Sequence, residues 1–240
     1  MGLNLKKDRH AVYLSVRNDR HSICEASSEP RDGFIAIEVL NPKTKSNVTK
    51  YIREYDSVDG YVTKIEKYDR EDEKSGTRFR GYKIHIDAEG LEVSLDLPFK
   101  SREYDSFTNF AENINWDKPV EFIAFKGKRP NGDPTTVFIA KQDGEVVRRK
   151  YTKENPGKCP PAKFDADEKE WDFSEQRKFL KGQLENVVIP AVTAAQAKRE
   201  REAGRFLNGK TDPQASHGTS EPPDWPEPEL EAPNDDEIPF

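Results

Sequence analysis

The densest run of chemically useful side chains is Arg78-Phe79-Arg80-Gly81-Tyr82-Lys83, in which cations alternate with aromatic rings. Strand periodicity places Tyr82, Ile84 and Ile86 on one face, the predicted core. Phe79, Lys83 and His85 fall on the other, with Gly81 leaving room between them. An exposed ring beside cations offers an unstacked base a surface to stack on and its phosphate a positive charge. Two further groups share this composition: Phe125-Lys126-Gly127-Lys128-Arg129 and Arg148-Arg149-Lys150-Tyr151. Tyr51, Arg53, Tyr61 and Arg102 are additional candidates. Each group also has a plain structural reading. Phe79 and Phe125 are of a type common in cores, and lysines on strand edges prevent sheet-to-sheet association. Three such groups in one chain favour binding.

Chemistry of other kinds finds little support. The sequence has no Walker-type phosphate loop, no GxSxG and no evident Ser/His/Asp spacing. The acidic run Tyr68-Asp69-Arg70-Glu71-Asp72-Glu73-Lys74 lies between two strand patterns and reads as a solvated hairpin tip rather than a metal loop. Cys24 and Cys159 are far apart and predict two reduced thiols. His10, His21, His85 and His217 are scattered without metal-ligand spacing. The sequence therefore predicts no metal, no cofactor and no catalytic set.

The elements that must position these residues are mostly strands. Segments 11–16, 34–40, 48–55, 61–68, 79–87, 91–97, 120–125, 135–140 and 145–151 are short, rich in β-branched and aromatic residues, and often alternate apolar with polar. Turn signals separate them: Asn41-Pro42, Asp59-Gly60, Ser75-Gly76, Glu89-Gly90, Asn131-Gly132 and Asp143-Gly144. A hairpin is expected around Ala88-Glu89-Gly90. Phe107, Phe110, Ala111 and Ile114 have helical spacing, with Asp105 or Ser106 as the expected N-cap. Several short antiparallel strands with one inserted helix predict a mainly β fold, an OB-fold-like small Greek-key barrel, with a β-sandwich as the alternative.

The expected organisation is a nucleic-acid-binding domain over 1–155, a Pro-rich linker over 156–170, a helical segment over 171–206 interrupted at Pro190, and a disordered acidic tail over 207–240. The helical segment carries an apolar stripe of Phe173, Phe179, Leu180, Leu184, Val187 and Val188. That stripe could pack on the barrel, pair with another protomer or make contacts along a bound strand. From Phe206 onward there are nine acidic side chains against one lysine, a net −8 that leaves +2 for the rest of a chain whose total is −6. Seven prolines in the tail and little apolar surface predict disorder in isolation. A slightly basic body with an acidic tail points to an anionic ligand and a tail that interacts separately. No run approaches the ~20 apolar residues needed to span a bilayer, and the N-terminus shows no secretory signal, so no membrane association and a cytoplasmic location are expected.

The chain ends in Asp235-Asp236-Glu237-Ile238-Pro239-Phe240, an apolar tip on an acidic string. This hexapeptide resembles the acidic tip of bacterial single-stranded DNA-binding proteins, and similar Phe-terminated tails occur in bacteriophage counterparts. The likeness is tight over these six residues and loose over the layout of β-rich domain, Pro-rich tract and tip. The usual N-terminal strand motifs are missing and the helical segment is an addition, which suggests a bacteriophage-encoded relative with its own OB domain and puts tetrameric assembly in doubt. The resemblance implies a non-enzymatic protein that coats single-stranded DNA in replication and recombination. It would recruit replication proteins through the Phe240 ring and carboxylate, flanked by Ile238 and Pro239 and steered by Asp235, Asp236 and Glu237. The alternatives are an RNA-binding or nucleic-acid-mimicking partner-binding module, and, disfavoured, an enzyme of nucleic-acid metabolism.

Overall fold

In a computed structural model of the protein, residues 11–40, 45–72, 76–129, 132–165 and 170–208 are described. The Asp235–Phe240 tip lies outside them.

Ten strands form one mixed sheet: β1 (Val12–Arg17), β2 (Ser22–Ser27), β3 (Ile35–Leu40), β4 (Asn47–Tyr55), β5 (Ser57–Asp72), β6 (Thr77–Ala88), β7 (Leu91–Pro98), β8 (Val120–Lys128), β9 (Pro134–Gln142) and β10 (Glu145–Val146). Their spatial order is β10-β9-β8-β5-β6-β7-β1-β2-β4-β3. All pairings are antiparallel except β1 with β7, which is parallel. The sheet is open rather than a closed barrel. It curls until the β1–β2 turn meets β9, where His21 Nδ1 lies 2.8 Å from Thr136 Oγ1 and the Thr136 hydroxyl donates to the Asn18 carbonyl at 3.4 Å. Among the described residues this seam is bridged by side chains and not by strand pairing.

Two of the predicted turns form as expected. Glu89-Gly90 and Asp143-Gly144 each place two successive residues at positive φ (52° and 85°; 54° and 82°), the backbone of a two-residue hairpin that matches strand twist. Asp59-Gly60 differs. Gly60 lies within β5, where a Cβ would meet the Asp87 carbonyl oxygen at 2.3 Å, so the glycine serves a close backbone approach and not a turn. This is where β5 passes from β8, paired over 57–60, to β6, paired from Tyr61 onward with a register shift between Val62 and Lys64. The predicted strand 145–151 ends at Val146. The chain then runs along α1 (Arg102–Phe110), with Lys150 N–H donating to the Asn109 carbonyl at 2.8 Å. β2 and the small hairpin of β11 (Lys163–Asp165) with β12 (Glu170–Asp172) were not anticipated.

Helix α1 begins earlier than its apolar spacing suggests. Ser101 is the N-cap, its Oγ accepting from Tyr104 N–H at 3.2 Å, in place of Asp105 or Ser106. Tyr104, Phe107 and Phe110 enter the concave side of the sheet with Phe122, Phe138, Ile84, Ile86 and Leu95. Phe122 and Phe138 stack at 5.9 Å, and Tyr82 and Tyr104 do so at 5.9 Å. Glu103, in the first turn of α1, is 4% exposed, and burial pushes its carboxyl above the usual range. The folded state therefore holds this proton more tightly than the unfolded chain, and stability from this group falls as pH rises through the unfolded value toward the folded one. Glu103→Gln is expected to raise the melting temperature at pH 7 and to leave it nearly unchanged near pH 4. Thermal melts at the two pH values check this.

Pro190 does not break the C-terminal helix. Helix α2 (Ser174–Gln183) passes through a π-helical turn over Leu184–Val188 into α3 (Ile189–Asn208). The wider turn fits the site, because proline lacks an N–H and its ring crowds the preceding turn. Leu184, Val188, Val192 and Ala195 are buried in the same cluster as the sheet and α1, so this helix face packs on the β body; of the predicted stripe, Leu180, Leu184 and Val188 are buried and Val187 is exposed. A second, smaller cluster of Cys24, Ile37 and Ile52 lies under β2, β4 and β3. No helix among the described residues is long and apolar enough to cross a membrane.

Candidate nucleic-acid interface

The convex face of β5, β6, β7 and β1 is organised in rows set by strand register. Lys64, His85, Ser94 and Tyr13 form one row, and Glu66, Lys83, Asp96 and Ser15 the next. Tyr68, Gly81 and Pro98 follow, and then Arg70 opposite Phe79. The expected alternation in β6 is observed, with Tyr82, Ile84 and Ile86 buried and Phe79 47% exposed on the other face. Gly81 has a specific reason: a Cβ there would lie 2.5 Å from both the Leu97 carbonyl and the Tyr68 hydroxyl. The Tyr68 ring thus lies across the glycine.

This face is not uniformly cationic. Glu66, Asp87 and Glu92 hold one end, and His85 sits between Glu66 (Nε2 to Oε2, 3.3 Å) and Glu92 (Nδ1 to Oε1, 3.6 Å). The Lys83 ammonium is over the Tyr13 ring at 5.5 Å and the Tyr68 ring at 5.9 Å. Toward the other end, charge becomes positive and a cavity of about 770 Å³ opens. Tyr68, Arg70, Arg78, Phe79, Arg80, Asp96, Pro98, Phe99 and Lys100 line it. Arg78 is held by a bidentate bond to Asp69 (2.6 and 2.7 Å). Arg70 lies over the Tyr68 ring at 5.6 Å, and no salt bridge ties Arg70, Arg80 or Lys100 within the described residues. Burial, with the facing Asp96 carboxylate, raises the Tyr68 phenol above its ordinary range, so the ring is neutral.

The cationic end continues past Lys100. Arg102 donates to the Thr135 hydroxyl, and burial together with the nearby Arg129 guanidinium lowers its pKa. Lys126 and Lys128 are exposed on the same β8–β9 hairpin. The second predicted group thus shares an end of the molecule with the first. Its aromatic member, Phe125, is half-buried on the outer face of β8, opposite Val137 of β9.

The third group is placed elsewhere. Arg148, Arg149 and Lys150 follow the far end of α1. There Asn113 Nδ2 donates to the Arg148 carbonyl at 2.9 Å, and the Tyr151 hydroxyl donates to Glu112 Oε1 at 2.7 Å. Tyr61 packs under Arg199 (5.0 Å) beside α3. Arg53 donates to the Asp32 carbonyl and lies over Phe34 at 4.9 Å, and Tyr51 is its half-buried neighbour on β4. Sequence reasoning missed Tyr13, Tyr68, Arg70, Phe99 and Lys100. Alternation through "KIEKYDR" would have grouped Tyr68 with Arg70, but the partner strands were needed to bring them to Phe79.

No group of histidine, cysteine, aspartate and glutamate able to hold a metal ion occurs among the described residues. No protein-family model, curated protein or solved structure matches this chain.

Proposed function

We propose that the protein binds single-stranded DNA without catalysis, coating unpaired strands during replication and recombination and presenting its Asp235–Phe240 tip to partner proteins. The curled sheet reads as an OB-type barrel. Its five strands are β5, β6, β7, β8 and β9, with α1 inserted between the third and fourth. The β1–β2 hairpin lies between β7 and the seam, where such a barrel would close. OB folds bind oligonucleotides on their second and third strands and on the loops joining strands one to two and four to five. Here these are β6, β7, the β5–β6 hairpin end and the β8–β9 hairpin. The observation that carries the reading is the coincidence of that location with the cavity where Tyr68, Phe79 and Phe99 stand among Arg70, Arg80 and Lys100. Rings for stacking and cations for phosphate are the two requirements of single-strand binding. The bacteriophage-type setting, work in the host cytoplasm and recruitment by the tip rest on the resemblance of the last six residues. Residues 209–240 are long enough to let the acidic tip compete for the protein's own cationic surface.

Full-length protein is expected to bind a labelled oligo-dT with an affinity that falls steeply as salt rises, and to bind duplex DNA of equal length far more weakly. Anisotropy titration is the suitable readout, since Trp116 is buried and remote from the cavity's rings. Indifference to oligo-dT in dilute buffer would remove the proposal, and tighter binding to the RNA equivalent would redirect it to RNA.

A further inference from the structure

The ten-stranded sheet ends in β10 on one side and β3 on the other. β10 is two residues long, too short an edge to recruit another strand. β3 pairs with β4 along its whole length, from Ile35 opposite Ile52 to Leu40 opposite Asn47, without a bulge. Its outer edge meets no strand among the described residues. The devices that blunt such an edge are missing from β3. It holds no proline and no lysine, and its single charged residue, Glu38, is turned toward β4, where it accepts from Asn47 Nδ2 at 3.2 Å.

The same edge concentrates apolar surface. Ile35, Leu40 and Val48 are three of the six large aliphatic side chains exposed among the described residues. β4 pairs with β2 only over 51–55, so 47–50 and the β3 residues opposite them form a two-stranded arm, which is marginally stable alone. Ile35, Ile37 and Val39 share one face of this arm with Ile52, but only Ile37 of the three is fully buried, against Ile52 and Cys24.

We infer that β3 is a self-association edge that pairs antiparallel with β3 of a second copy of this chain. Two-fold pairing needs a self-complementary strand, with the axis normal to the sheet so that side chains of one face meet the same face. The row Ile35, Ile37 and Val39 is symmetric about Ile37 and meets that need. Centred there, Ile35 lies opposite the second copy's Val39, Ile37 opposite its own counterpart and Ala36 opposite Glu38, and the two rim clusters become one. Centring on Glu38 would set two carboxylates opposite each other, which opposes pairing. Charge and shape therefore select one register. Two such edges bury on the order of 1,000 Å² in total, the low end for a specific interface, which sets a Kd of about micromolar. β1, β2 and β4 separate this edge from the strands of the cationic cavity, so each copy keeps its own cavity and the inference does not rest on the single-strand reading.

Sedimentation velocity of the full-length protein without nucleic acid, over about 1–100 μM, is the test. The mass is expected to rise with concentration from 27.5 kDa toward twice that value. Ile35→Lys, at an exposed position, is expected to weaken the dimer about tenfold or more and to leave the melting temperature of the monomer unchanged. The register is read by cysteine pairs under mild oxidation, since Cys24 and Cys159 are buried. Ala36→Cys mixed with Glu38→Cys is expected to give a covalent dimer, whereas either variant alone places its thiols on a diagonal of roughly 7–8 Å, too long to bridge. A protein that stays monomeric throughout overturns the inference. So does a dimer that survives Ile35→Lys, or one that either cysteine variant alone cross-links as well as the mixture.

Discussion

Removing residues 174–240 is expected to leave a chain that no longer unfolds cooperatively, and Leu184→Ala in the full-length protein is expected to cost about 2–5 kcal/mol. Helices α2 and α3 are joined to the body by more than surface contact. Leu180 is buried, and Leu184, Val188, Val192 and Ala195 belong to the core that the strands build. The polar contacts are equally specific. Arg199 donates to the carbonyls of Trp116 (2.6 Å) and Val62 (2.7 Å), and Glu185 accepts from Tyr82 (2.9 Å) and Lys67 (3.0 Å). Truncation would expose the apolar underside of β5, leave the Tyr82 hydroxyl without its acceptor and leave two backbone carbonyls without their donor. Thermal and urea melts of both proteins provide the measurement. A truncated chain melting like the full-length one would show that the helices are a detachable appendage.

The second large effect concerns the cavity. Replacing Arg70, Arg80 and Lys100 together by alanine is expected to weaken oligo-dT binding about 100-fold at low salt and to reduce the salt-dependence slope by about two. Each of the three is a surface cation without a salt bridge among the described residues, so the fold should lose no more than about 0.5 kcal/mol per site. Arg148→Ala with Lys150→Ala removes two positive charges at the other end of α1 and provides the control. If that pair weakened binding as much as the triple variant, general charge rather than the cavity would be responsible. Melting temperatures measured in parallel separate lost contacts from lost folding.

Much of the fold was legible because alternation is strong where one face is buried. β6 is the clearest case, its inner Tyr82, Ile84 and Ile86 separated by Lys83 and His85. The pattern failed where that condition fails. In β2 the adjacent Ile23 and Cys24 are both buried, because the main core lies on one side of the strand and the small cluster of Ile37 and Ile52 on the other. Gly60 was read as a turn because a glycine that admits a neighbouring backbone looks the same in sequence as one that reverses the chain. Pro190 was read as a break because the π-helical turn that accommodates it has no sequence signature here. For the candidate site, local pattern names Phe79, Arg80 and Lys83, which lie together along β6. It could not supply Tyr13, which reaches the same face through a parallel pairing between segments about 80 residues apart. It also names Tyr61 and Arg53, which the structure places apart from the cavity, Tyr61 under Arg199 and Arg53 over Phe34.

The far end of the β5–β6 hairpin has a further consequence. β7 pairs with β6 only from Gly81 onward, and β8 pairs with β5 only up to Gly60. Arg70–Asp72 and Thr77–Phe79 therefore form a two-stranded ribbon projecting past the sheet that carries Arg70 and Phe79, while the Arg80 carbonyl at its root accepts from Phe99 N–H at 2.8 Å. Two strands alone are marginally stable in water. One wall of the cavity is consequently compliant while the opposite wall, on β7, is fixed by the core. On the proposed single-strand reading, such a jaw would adjust its opening to purines and pyrimidines in turn, without disturbing the sheet that supports it.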